Sequence, residues 1–144
     1  MLFSKATGYA IRATAYLAAQ PPGSICGARE IANHEGIPPL FLRKILSELC
    51  RHRILRSSHG IHGGYALARS AENISLWELV QALEKELDWE LCVVGTTACT
   101  NETPSGVDEE IHRISRQVIE LLRSRKMADF ARAASTRTAA RANS

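Results

Sequence analysis

Residues 37–69 read "IPPLFLRKILSELCRHRILRSSHGIHGGYALAR", a helix-forming run that passes without a linker into two strand-like runs around a glycine-rich tip. Pro38 and Pro39 suit a first helical turn, where a missing N–H has no partner to lose. Leu42, Ile45, Leu46 and Leu49 follow at i, i+3, i+4, i+7 spacing and predict one buried face. That burial leaves Phe41, Arg43, Lys44 and Ser47 on the outside. "RILRSS" and "YALAR" then suit the arms of a hairpin. Gly60, Gly63 and Gly64 permit the positive backbone angles that such a tip often needs. The tip is not a phosphate loop, because it lacks the Gly-Lys-Ser/Thr ending and opens no helix.

Upstream, residues 4–20 predict a helix capped by Ser4. Ala6, Tyr9, Ala10, Ala13 and Leu17 recur at helical spacing until "QPPG" stops them. "GAREIANHEG" predicts a short second helix with Ile31 and Ala32 inward and Gly36 as its stop. Two short helices across a glycine-containing turn form a helix-turn-helix pattern. A basic hairpin directly behind it predicts a winged helix, in which one helix enters the major groove and the hairpin lies along the adjacent backbone or minor groove. The expected fold is mainly α with a small β-hairpin wing.

Downstream, "SLWE" is a capping box in which Ser75 and Glu78 satisfy each other's orphan donors. Leu76, Leu79, Val80, Leu83 and Leu87 predict a helix running to about Glu86. A turn-rich stretch follows with Cys92 and Cys99 in "CVVGTTAC". From Asp108 to about Arg125 the chain predicts its longest polar-rich helix, acidic at the start and basic at the end, as the helix dipole favours. Ile111, Ile114, Val118 and Leu121 step along it, flanked by Ile119 and Leu122; such a stripe either caps a core or pairs with its copy in a homodimer. "KMADFARAA" adds a turn. The expected organisation is a winged helix-turn-helix domain over 1–87, a cysteine loop over 88–107, a dimerisation helix and turn over 108–134, and a frayed, disordered tail over 135–144.

The net charge of +3 over 144 residues conceals a division. Residues 1–70 hold nine Lys/Arg against three acids, residues 71–122 three against eleven, and residues 123–144 six against one. A basic first half suits a polyanion, with the acidic segment held away from it. No apolar run approaches the roughly eighteen residues of a membrane span. The start lacks a secretory leader's apolar block, so a cytoplasmic chain with four reduced cysteines is expected. Catalysis is not expected: His34, His52, His59, His62 and His112 do not cluster with carboxylates at catalytic spacing. A winged-helix module that docks protein rather than DNA is the alternative, although a docking face is normally depleted in charge at its centre.

The stretches "SKATGYAIRATAYLA", "IPPLFLRKILSELCRHRIL", "SSHGIHGGYALAR" and "ISLWELVQALEKEL" together resemble one family across residues 1–130. It is the family of bacterial winged-helix regulators typified by the iron–sulfur-cluster regulator IscR, the nitric-oxide-sensing repressor NsrR and the cysteine-metabolism repressor CymR. The resemblance implies a homodimeric transcription factor built on a long dimerisation helix, and the leading expectation is a repressor that binds operator DNA. Many members hold an iron–sulfur cluster on three cysteines of the loop before that helix. Here the third position falls near Ser105, and Gly8 stands where some members place an acidic ligand on the first helix.

On that basis Phe41, Arg43, Lys44 and Ser47 are the expected DNA readers, joined by Ser58, His59 and His62 in the wing. Arg is the best reader of guanine edges, while Lys and Ser more often anchor phosphates. His59 and His62 make a poor metal pair, and their backbone contact would strengthen on protonation. Three readings of the cysteine loop stay open. A 2Fe–2S cluster could use Cys92 and Cys99 with Ser105, Asp108, Glu109 or His112 as harder ligands. The pair could instead form a disulfide on oxidation, or the loop could sense nothing. Cys26 and Cys50 read as small core hydrophobes.

Overall fold

The computed structural model describes residues 3–85 and 106–132, the side chains of 106–108 excepted. Helix α1 (Lys5–Ala19) starts where the Ser4 hydroxyl accepts from the Thr7 amide, and α2 (Ala28–Glu35) ends at Gly36 in the left-handed conformation. Helix α3 (Pro39–Arg51) begins on its prolines as expected. Strands β1 (Leu55–Ser58) and β2 (Gly64–Leu67) pair antiparallel, Leu55 facing Leu67 and Ser58 facing Gly64. Helix α4 (Leu76–Leu83) carries the complete Ser75–Glu78 capping box, and α5 (Gly106–Ser124) is the longest element. Residues 127–132 add a final helical turn.

The core forms where α1, α2, α3 and α4 meet. Ala10 and Ala13 of α1 are fully buried, and their small side chains let Ile31, Leu42, Leu46, Leu49 and Leu79 close over them. A second cluster joins α5 to α4 through Leu76, Val80, Leu122 and the half-buried Val118. The chain beyond α5 is secured by backbone pairing, with the Leu76 amide donating to Arg125 and the Met127 amide to Ile74. Met127 is wholly buried behind that joint.

Four features differ from the sequence expectation. The wing has a third edge: the Cys26 amide donates to the Tyr65 carbonyl at 2.9 Å, and the Tyr65 amide returns the bond to Cys26 at 2.8 Å. A single bridging residue carries no periodicity, so the sequence did not announce it. Second, glycine serves the tip by close approach as well as by backbone angle. Gly60 sits at φ 105°. A Cβ on Gly63 would lie 2.3 Å from the Ser58 carbonyl oxygen, and one on Gly64 would lie 2.4 Å from that of Cys26.

Third, α4 stops at Leu83 rather than continuing to Glu86. Glu84 leaves the helix because its carboxylate accepts from the Ser4 amide and the Thr7 hydroxyl, both at 2.6 Å, at the start of α1. Leu87 lies outside the described residues. Fourth, α5 begins at Gly106, two residues ahead of Asp108. Among the described residues no helix is long and apolar enough to cross a membrane.

Candidate nucleic-acid interface

Helix α3 and the wing form one continuous structure. The last turn of α3 closes with a pair of reversed bonds, Arg53 amide to Cys50 carbonyl and Ile54 amide to Leu49 carbonyl, both 3.0 Å. This termination needs a left-handed residue and normally recruits glycine; here Arg53 takes it at φ 58°. Ile54 and Leu49 are both buried beneath the turn, so β1 leaves α3 at a fixed angle.

Burial of Leu42, Ile45, Leu46 and Leu49 turns Arg43, Lys44 and Ser47 to solvent. Phe41 is 39% exposed and packs edge-on against Tyr9 of α1 at 5.7 Å; the Arg12 guanidinium lies over the Tyr9 ring, 5.8 Å from its centroid. At the wing, Ser58 is half-buried while His59 and His62 are exposed. Among the described residues Arg43, Lys44 and Arg56 enter no ion pair. Arg56 and the fully projecting Ile61 were not singled out from sequence; Arg56 could have been, since it alternates with the buried Leu55.

The opposite end of α3 is tied to the chain just after α4. Lys85 reaches Glu48 at 2.7 Å, and Arg51 stands 3.2 Å from the same carboxylate. The Lys85 hydrogen bond holds the Glu48 carboxyl below its ordinary value, with Arg51 adding to the effect. Glu84 is held low as well: burial alone would raise it, but the bonds from Thr7 and Ser4 outweigh that. Glu84 and Lys85, the last described residues before the cysteine segment, are thus bonded to α1 and α3.

Cys92, Cys99 and Ser105 lie outside the described residues, as does the side chain of Asp108. Glu109 is exposed and His112 half-buried, one turn apart near the start of α5. Among the described residues no three His, Cys, Asp or Glu side chains gather as a metal site. Cys26 is buried and its thiol is pushed up, by burial first and then by the Glu30 carboxylate; burial also raises Cys50. Both therefore favour the protonated thiol, which is a poor nucleophile.

On α5, Ile111, Ile114 and Leu121 are 37%, 51% and 51% exposed, a large apolar investment for a helix facing water. Val118, expected in the same stripe, instead turns partly inward onto the Leu76–Val80 cluster.

Comparison with known proteins agrees with this architecture. The solved structure of CymR, the global cysteine regulator of B. subtilis, superposes with a TM-score of 0.76 over 91% of this chain and 96% of its own, at 21% identity. The structure of T. potens IscR does so with a TM-score of 0.76 over 93% and 88%, at 22% identity. In sequence, a chain of Aquifex aeolicus described as an HTH-type transcriptional regulator is 27% identical over 132 residues, covering 90% of this chain and 91% of its own. The Rrf2 family model, described as an iron-dependent transcriptional regulator, matches residues 3–133. The chain is a winged helix-turn-helix protein that belongs to the Rrf2 family, a family of transcriptional regulators and not of enzymes.

Proposed function

We propose that this chain is a homodimeric repressor that reads a two-fold-symmetric DNA operator with α3 and the wing, and that answers to redox or iron–sulfur status through Cys92 and Cys99. The observation that carries the DNA-reading part is the cationic face of α3, whose Arg43 and Lys44 enter no ion pair among the described residues, continuous with a wing that presents His59 and His62. Cations left without a protein partner beside a structure of groove-entering shape suit phosphates and guanine edges. The test is enrichment of one duplex from random DNA, followed by titration at several salt concentrations. Binding should weaken with a log–log slope of about −0.9 per neutralised phosphate. A flat salt dependence, or no enrichment, refutes it.

For the sensor, two thiolates together with two of Ser105, Asp108, Glu109 and His112 would give the four ligands of a 2Fe–2S cluster whose second iron has harder ligands. Such a cluster would supply one-electron redox chemistry. The chain's own part would be transmission, because Glu84 and Lys85, which lie ahead of this segment in the chain, are bonded to α1 and α3. The presence of only two loop cysteines favours a second reading, in which oxidation joins Cys92 to Cys99. Anaerobic purification with a visible spectrum and iron and sulfide assays separates the two. Colour lost in Cys92→Ser and Cys99→Ser but kept in Cys26→Ser supports the cluster. Colourless protein whose DNA affinity shifts on oxidation supports the disulfide.

A further inference from the structure

The first turn of α3 carries an apolar surface that the fold does not use. Pro38, Pro39, Leu40 and Phe41 are four consecutive exposed apolar residues, and Leu40 is 78% exposed. A run of that kind is a solubility liability unless it has a partner. Phe41 is partly accounted for, since it leans on Tyr9. Leu40 belongs to neither hydrophobic cluster of the described residues. Its position is nonetheless rigid: it follows Pro38 and Pro39, whose rings fix φ, at the second position of the helix.

We infer that Leu40 is a specificity residue that reads the 5-methyl group of a thymine in the major groove. Residues at the N-terminal end of a recognition helix are the ones that reach base edges. The thymine methyl is the one apolar group those edges offer there. Charge selects this occupant over a protein partner: Arg43 and Lys44, less than one and a half turns on, are exposed and unpaired among the described residues, whereas a protein-docking face is depleted in charge at its centre.

The assignment rests on the DNA-reading role proposed above, and one experiment separates the two. The full-length chain first selects a duplex from random sequence. Each thymine of that duplex is then replaced singly by deoxyuridine, which removes only the methyl group, and affinity is measured by fluorescence anisotropy. Wild-type protein should lose about threefold to fivefold at one symmetry-related thymine per half-site, the worth of roughly one buried methyl-sized group. Leu40→Ala should bind the unmodified duplex more weakly and be indifferent to uridine at that position, while Leu40→Met should keep the discrimination. Wild-type binding that tolerates uridine everywhere overturns the assignment and leaves the DNA-reading role standing. An equal uridine penalty in wild type and Leu40→Ala also overturns it, because another residue then holds the methyl. Failure to select any duplex overturns both.

Discussion

Helices α3 and α5 are both amphipathic, and they leave opposite surfaces uncovered. Beyond its apolar first turn, α3 exposes Arg43, Lys44 and Ser47, while α5 exposes Ile111, Ile114 and Leu121 between charged neighbours. Each buries its other side against the same domain, α3 through Leu42, Leu46 and Leu49, and α5 through Leu122 and part of Val118. What each helix leaves exposed supports the partner proposed for it. Unpaired cations call for a polyanion, whereas an apolar stripe calls for a surface like itself. The charge division along the chain follows the same line, with nine Lys/Arg against three acids through residue 70 and three against eleven from 71 to 122.

The most damaging way to break this contrast is to place charge on α5. Ile114→Asp puts a carboxylate where a dimer seam would bury it unpaired, which is strongly unfavourable. Because Ile114 is 51% exposed in the single chain, the variant should keep its helical circular dichroism. It should run as a monomer in light scattering and lose operator affinity by about 10²–10⁴, the worth of linked half-site binding. If the wild type is the proposed dimer, its half-sites should lie about 34–36 Å apart, one helical turn. A variant that stays dimeric moves the interface elsewhere.

On α3 the corresponding change is Arg43→Ala. It should cost about 1–3 kcal/mol at the selected duplex and relax base choice at one position per half-site. Lys44→Ala should weaken all duplexes alike and reduce the salt slope by about 1. Equal losses on specific and random DNA for Arg43→Ala would demote it to a phosphate contact. Neither variant should alter the oligomeric state, which is what sets them apart from Ile114→Asp.

Much of α3, the wing and the capping box was legible because each rests on local rules. Two prolines mark where a helix starts, spaced leucines mark which face it buries, and Ser75 and Glu78 satisfy each other within one turn. The helix-turn-helix and wing were legible for the same reason, and so was the family. Parts set by distant contacts were not. The period of Leu76, Leu79, Leu83 and Leu87 points past Glu84, yet Glu84 is drawn out of the helix by Ser4 and Thr7, 80 and 77 residues away. Val118 fits the α5 stripe by spacing but is claimed in part by Leu76 and Val80. Leu40 and Ile61 could not be ranked as exposed until the turns that present them were placed. The cysteine segment stayed open because Cys92 and Cys99 lack a third thiol and lie outside the described residues.

A smaller test concerns how firmly α3 is fixed to the wing, a rigidity that α5 does not need. Arg53 occupies a left-handed position that costs a non-glycine residue about 1–2 kcal/mol. Glycine there removes that cost but adds unfolded-chain entropy of about 0.5–1 kcal/mol. Arg53→Gly should therefore raise the thermal midpoint slightly, by no more than about 3–6 °C on the usual scaling for a chain of this size. A fall in the midpoint would show that the Arg53 side chain contributes more than its backbone strain removes.

The smallest effect at neutral pH should come from Glu84→Gln, where the end of α4 meets the start of α1. Glutamine keeps one acceptor for the Ser4 amide and the Thr7 hydroxyl but loses the charge that strengthens both bonds. The Glu84 carboxyl titrates below its ordinary value of 4.5 in the folded chain, because those bonds outweigh the effect of burial. Its contribution is thus complete above the unfolded value and is lost as pH falls through the folded one. Glu48 and Glu78 are shifted in the same direction, Glu48 by Lys85 and Glu78 by Arg69 and Ser75 in opposition to burial. Wild type should therefore lose stability steadily as pH drops below about 4.5, where unfolded glutamates take up protons that the folded chain refuses. Glu84→Gln should start slightly lower at pH 7 and descend less steeply, so that the two thermal-midpoint curves converge in acid. Parallel curves would mean that the Glu84 charge contributes nothing to holding α4 against α1, and that contact would then rest on apolar packing such as that of Leu79 with Ala10 and Ala13.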